Sequence, residues 1–76
     1  MEDLFTTHII IENEDVNFRV MFDQEKYVFL SEGNSKTFSS FAIKREHDEW
    51  HDEQALDPQV REQAVAALEK YLMQQH

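Results

Sequence analysis

Between Val16 and Asp23 apolar and polar positions alternate, with Val16, Phe18, Val20 and Phe22 set against Asn17, Arg19, Met21 and Asp23. That period of two marks a half-buried strand over 16–23. A short turn at Gln24-Glu25 leads into a second run over 26–31 and tests the register. Asp23 then opposes Lys26, Phe22 opposes Tyr27 and Val20 opposes Phe29, so the aromatic side chains gather on one face and opposite charges close the turn. The preceding run, 5–12, matches in the same way with a turn at Asn13-Glu14, which sets Ile11 against Val16, Ile9 against Phe18, Thr7 against Val20 and Phe5 against Phe22. This register also opposes Glu12 to Asp15, a like-charge pair, so a turn widened to four residues is expected there.

After Ser31 the segment Glu32-Gly33-Asn34-Ser35-Lys36 carries turn chemistry. A three-residue loop pairing Glu32 with Lys36 starts a fourth strand over 37–45 and puts Phe41 and Ile43 on the core face. Phe38 points the other way unless a bulge at Ser39-Ser40 turns it inward, and both arrangements stay open. From Glu46 to Asp57 the chain has no Lys or Arg, and Trp50 sits in the middle of the acids. A turn near His47-Asp48 and a short extended segment over 49–53 would tuck Trp50 against the core, with a helical turn as the alternative.

Asp57 suits an N-cap and Pro58 the first helical position, whose N–H has no intrahelical partner. Val60, Ala64, Ala67, Leu68, Tyr71 and Leu72 then form one apolar stripe of a helix over 58–74, with Arg61, Glu62, Gln63, Glu69 and Lys70 on its outer side. Seventeen residues at ~1.5 Å each span about 25 Å, close to an eight-residue strand. The fold class expected is α+β: an antiparallel β-meander of four to five strands with one C-terminal helix packed on one face.

A length of 76 residues fits a single domain spanning 1–76. Its 41% hydrophobic content, with six Phe, two Tyr and one Trp, is too apolar for a disordered segment. Charge changes the picture more. Sixteen acids against seven bases give a net charge of -9, and the bases are scattered, so neither a phosphate backbone nor an anionic membrane is an expected partner. The chain has no cysteine for a disulfide, thiolate ligand or thiol nucleophile. No signal peptide or membrane span is recognisable, which makes the cytoplasm the default compartment.

Catalytic signatures are sparse. The run His47-Asp48-Glu49-Trp50-His51-Asp52-Glu53 has two histidines at the i, i+4 spacing that zinc hydrolases use on a helix, but the residue after the first histidine is Asp48 and no further ligand is apparent beyond Glu53. If the segment is extended, the two imidazoles stand about 13 Å apart, too far for one ion. His8, expected opposite Arg19 on the outer face, has no nucleophile beside it. The serines lack a nucleophile-elbow context, and Gly33 alone cannot form a phosphate-cradling loop. No enzymatic activity, cofactor or metal is therefore expected.

The expected function is that of a small acidic protein-interaction module. One helix cannot cover both faces of its sheet, and the uncovered face carries Ile10, Met21, Val28 and Leu30, with Phe38 if no bulge intervenes. Such a cluster points to an interface with a protein partner, foremost a second copy in a homodimer. The alternatives are a metal-binding or hydrolytic site at His47 and His51, and an acidic mimic of nucleic acid that occupies a basic partner.

Overall fold

A computed structural model describes residues 2–32, 40–53 and 55–74. Five strands, β1 (Glu2–Ile11), β2 (Glu14–Asp23), β3 (Lys26–Glu32), β4 (Phe41–Glu46) and β5 (Glu49–Asp52), precede the helix α1 (Pro58–Gln74). The strands form one sheet in the order β1-β2-β3-β4-β5, each antiparallel to its neighbour. The fold is thus an α+β meander with a C-terminal helix, as the alternation and the helical stripe require.

Three of the hairpins close with two residues, Glu12-Asn13, Gln24-Glu25 and His47-Asp48, all with φ between 50 and 65°. This left-handed pair matches the twist of the flanking strands. The β2–β3 register is the expected one, with Asp23 opposite Lys26, Phe22 opposite Tyr27 and Val20 opposite Phe29. The β1–β2 register differs. The turn lies at Glu12-Asn13, not Asn13-Glu14, so Ile11 opposes Glu14, Ile9 opposes Val16 and Thr7 opposes Phe18. The shift moves every pairing by two residues, which keeps the apolar sets on the same face. It also removes the Glu12–Asp15 conflict, because Asp15 now faces Ile10 and its carboxylate lies 2.9 Å from Nδ1 of His8. A bulge between Asp3 and Phe5 offsets the start of β1 further.

Phe41 and Ile43 are on the core face as expected, but Phe41 opposes Phe29 and Ile43 opposes Tyr27. A three-residue loop would have set Phe41 against Tyr27, so the β3–β4 register is two residues from the expected one. Phe38 and the expected strand start at 37 lie outside the described residues. The acidic joint forms a hairpin rather than a helical turn, and β5 brings Trp50 edge-on to Tyr27 with ring centroids 5.8 Å apart.

The core lies between one face of the sheet and α1. Ile9, Phe18, Val20, Phe29, Ile43, Ala64 and Leu68 are fully buried there. Phe29 stacks on Phe41 at 4.7 Å, and Phe18 meets both rings edge-on. Val60, Ala64 and Leu68 are the buried line of α1, and Ala67, Tyr71 and Leu72 flank it half-buried. Asp57 caps the helix, accepting the Gln59 N–H at 2.9 Å, and its carbonyl takes the first intrahelical bond from Arg61.

Candidate functional site

Two α1 side chains expected on the solvent side are turned to the sheet, and they determine which surfaces stay open. Gln63 accepts the Ile10 N–H and donates to the Ile10 carbonyl, both at 2.9 Å. Arg61 donates to the Trp50 carbonyl at 2.6 Å and through Nε to Asp52 at 3.2 Å. Ile10 lies on one edge strand and Trp50 on the other. Two residues apart, Arg61 and Gln63 project about 200° from each other around the helix. One turn of α1 therefore ties both sheet edges while its apolar stripe fills the space between them.

Asp52 anchors the β5 side. Its carboxylate accepts the Leu56 N–H at 3.0 Å and pairs with Arg61. The hydrogen bond from Leu56 is the main cause that holds the Asp52 carboxyl below its ordinary range; partial burial opposes the effect, and Arg61 adds to it.

With α1 occupying the core face, the opposite face has no element over it among the described residues. Met21 stands opposite Val28, and Val28 opposite Ala42, giving an apolar row across β2, β3 and β4. Leu30, opposite Arg19, lies two residues further along β3 on the same face. Met21, Val28 and Leu30 are half-buried by their neighbours. Ion pairs rim the row: Arg19 reaches Asp3 at 3.7 Å and Glu32 at 4.0 Å, Lys26 meets Glu53 at 2.9 Å, and Lys44 meets Glu46 at 3.2 Å.

Ile10 does not join this row. The two-residue shift sets it opposite Asp15, with the His8–Asn17 pair between it and the Thr6–Arg19 pair. It is 56% exposed, at the far end of the face. His8 accordingly faces Asn17 rather than Arg19. Of the expected interface residues, the structure brings together Met21, Val28 and Leu30, sets Ile10 apart, and does not describe Phe38.

Comparison with protein-family models, curated proteins and solved structures found no match.

The acidic joint is largely engaged within the molecule. Glu46 and Glu53 pair with lysines, Asp48 lies 3.9 Å from Arg45, Asp52 holds Leu56 and Arg61, and Asp57 caps α1. His47 sits in the turn and His51 on β5 opposite Lys44, so the helical spacing that would converge two imidazoles is not formed. Among the described residues no group of three or more His, Asp or Glu side chains is placed to hold a metal ion. No helix is long and apolar enough to cross a membrane.

Sequence reasoning missed the roles of Gln63 and Arg61. Helical phase places them on the flanks of the stripe, and a polar flank is ordinarily read as solvated. The missing signal was the unsatisfied backbone of two edge strands, which becomes visible only once the strand order is known.

Proposed function

We propose that this protein is a non-enzymatic interaction module of the cytoplasm that self-associates through the sheet face opposite α1. The observation that carries this reading is the row Met21–Val28–Ala42, with Leu30 beside it, at the centre of a face that no described element covers. An apolar centre inside a rim of ion pairs is the usual anatomy of a protein–protein interface. The rim carries both signs, so a two-fold copy can set Arg19, Lys26 and Lys44 against the carboxylates of its mate. The metal-site and charge-mimic readings have less support, since the joint's carboxylates are bonded internally and His47 and His51 belong to different parts of a hairpin.

The test replaces the centre of the row with charge. Met21→Glu with Val28→Lys puts opposite charges on directly opposed residues, so the hairpin keeps a favourable cross-strand pair while its outer surface turns polar. The expected result is an unchanged far-ultraviolet circular dichroism spectrum together with elution as a monomer at concentrations where the wild type elutes as a dimer. Dimeric elution of the folded double variant contradicts the reading.

A further inference from the structure

Among the described residues the outer edge of β1 is closed at one point, Ile10. In the β1–β2 ladder, successive residues alternate between bonding β2 and pointing their N–H and C=O away from it. Ile10 is an outward-pointing residue, because Gln63 takes both of its backbone groups. Counting back by two, His8 and Thr6 present their N–H and C=O on the same side, where no strand pairs with β1 among the described residues. Beside Thr6 the C-terminal half of α1 leaves a groove of about 290 Å³, floored by Phe5, Ala67 and Tyr71 and bordered by Lys70. The Phe5 and Tyr71 rings stack at 4.8 Å and hold strand and helix at that spacing.

This groove has the features of a strand-addition site: a row of outward backbone groups that no described strand pairs, an apolar recess for alternate side chains, and a helix along the far wall. Natural edge strands are usually blunted by lysine or proline, but Leu4 to Ile11 contain neither. They also contain no Asp or Glu, although the whole chain has 16. A second copy of β1 is a poor occupant, because each copy brings its own α1 packed against β1, with Gln63 already holding the Ile10 backbone groups. A single extended segment without an attached helix has no such obstacle. Among the described residues Lys70 is the one charged side chain lining the groove, and its ammonium favours a carboxylate at that point.

We propose that the groove between β1 and α1 binds an extended peptide segment as a sixth strand, pairing its backbone with Thr6 and His8, placing an apolar side chain against Phe5 and Tyr71, and directing an acidic side chain to Lys70. This surface is separate from the outer face of the sheet, so either can fail without the other.

The probe is a displayed library of random peptides about seven residues long, matched to the Leu4–Ile11 edge at ~3.4 Å per residue. Selection on the wild type is expected to enrich alternating apolar sequences that carry one Asp or Glu. Thr6→Pro removes an outward N–H without touching the β2 ladder, and it should weaken the enriched peptides about tenfold, while Met21→Glu with Val28→Lys leaves them unchanged. Lys70→Glu, on the exposed side of α1, should exchange the acidic preference for a basic one. Failure to enrich any sequence overturns the proposal, as does undiminished binding to both Thr6→Pro and Lys70→Glu. If Thr6→Pro rather than the outer-face variant makes the protein monomeric, a second copy occupies the edge and the peptide assignment is wrong.

Discussion

At Gln63 one side-chain amide satisfies both backbone groups of Ile10, and two residues earlier Arg61 does comparable work for Trp50 on the opposite edge. The Gln63–Ile10 bonds are exposed, so each adds at most about 0.5–1.5 kcal/mol, whereas the part-buried Trp50 carbonyl would lose more if Arg61 were removed. Arg61 acts together with Asp52, and that pair gives the residue scale its clearest pH dependence. The folded-state pKa of Asp52 is depressed, so its contribution is fully present above the ordinary carboxylate range near pH 4 and is lost as pH falls through the lowered value. The stability difference between wild type and Asp52→Asn, measured by denaturant titration, should therefore hold steady from about pH 7 to 4 and shrink below that. A difference that stays constant down to about pH 2 would mean that the Leu56 and Arg61 contacts do not depend on the charge of Asp52. None of this was legible from residue type alone, because Asp52 looked like one more acid in a run of six between Glu46 and Asp57.

Among the elements, the strands and the helix were readable because their periodicities are strong, and so were the turns at Gln24-Glu25 and His47-Asp48, whereas the β1–β2 turn was not. The alternation in β2 and the stripe of α1 locate both elements closely, and the aromatic matching across Gln24-Glu25 reproduces the observed register. The β1–β2 turn was placed one residue late. Asn is favoured at the first position of a two-residue turn, but Asn13 occupies the second, at φ 65°, behind Glu12 at φ 50°. The face assignment survived because the error moved the register by an even number. The contiguity of the outer patch did not, since Ile10 slid away from Met21. No two-residue turn here contains glycine, and Gln24-Glu25 has neither Gly, Asn nor Asp to relieve its left-handed backbone. Gln24→Asn with Glu25→Gly supplies the residues such a turn prefers, and it should raise unfolding stability by about 1 kcal/mol in urea. An unchanged or lower midpoint would show that the positive φ values at this turn carry no recoverable strain.

For the molecule as a whole, the sheet order leaves β1 and the short β5 as edges, and α1 spans the distance between them while its apolar stripe fills the core. Among the described residues that arrangement leaves one sheet face uncovered, and it concentrates Met21, Val28, Ala42 and Leu30 there inside a rim of ion pairs. Sequence patterning found the centre of that face but overextended it to Ile10. If a second copy covers this face, sedimentation velocity of the wild-type chain over a wide concentration range should show a species that moves from the 9.1 kDa monomer to about twice that mass as concentration rises. A single 9.1 kDa species across the whole range would contradict it.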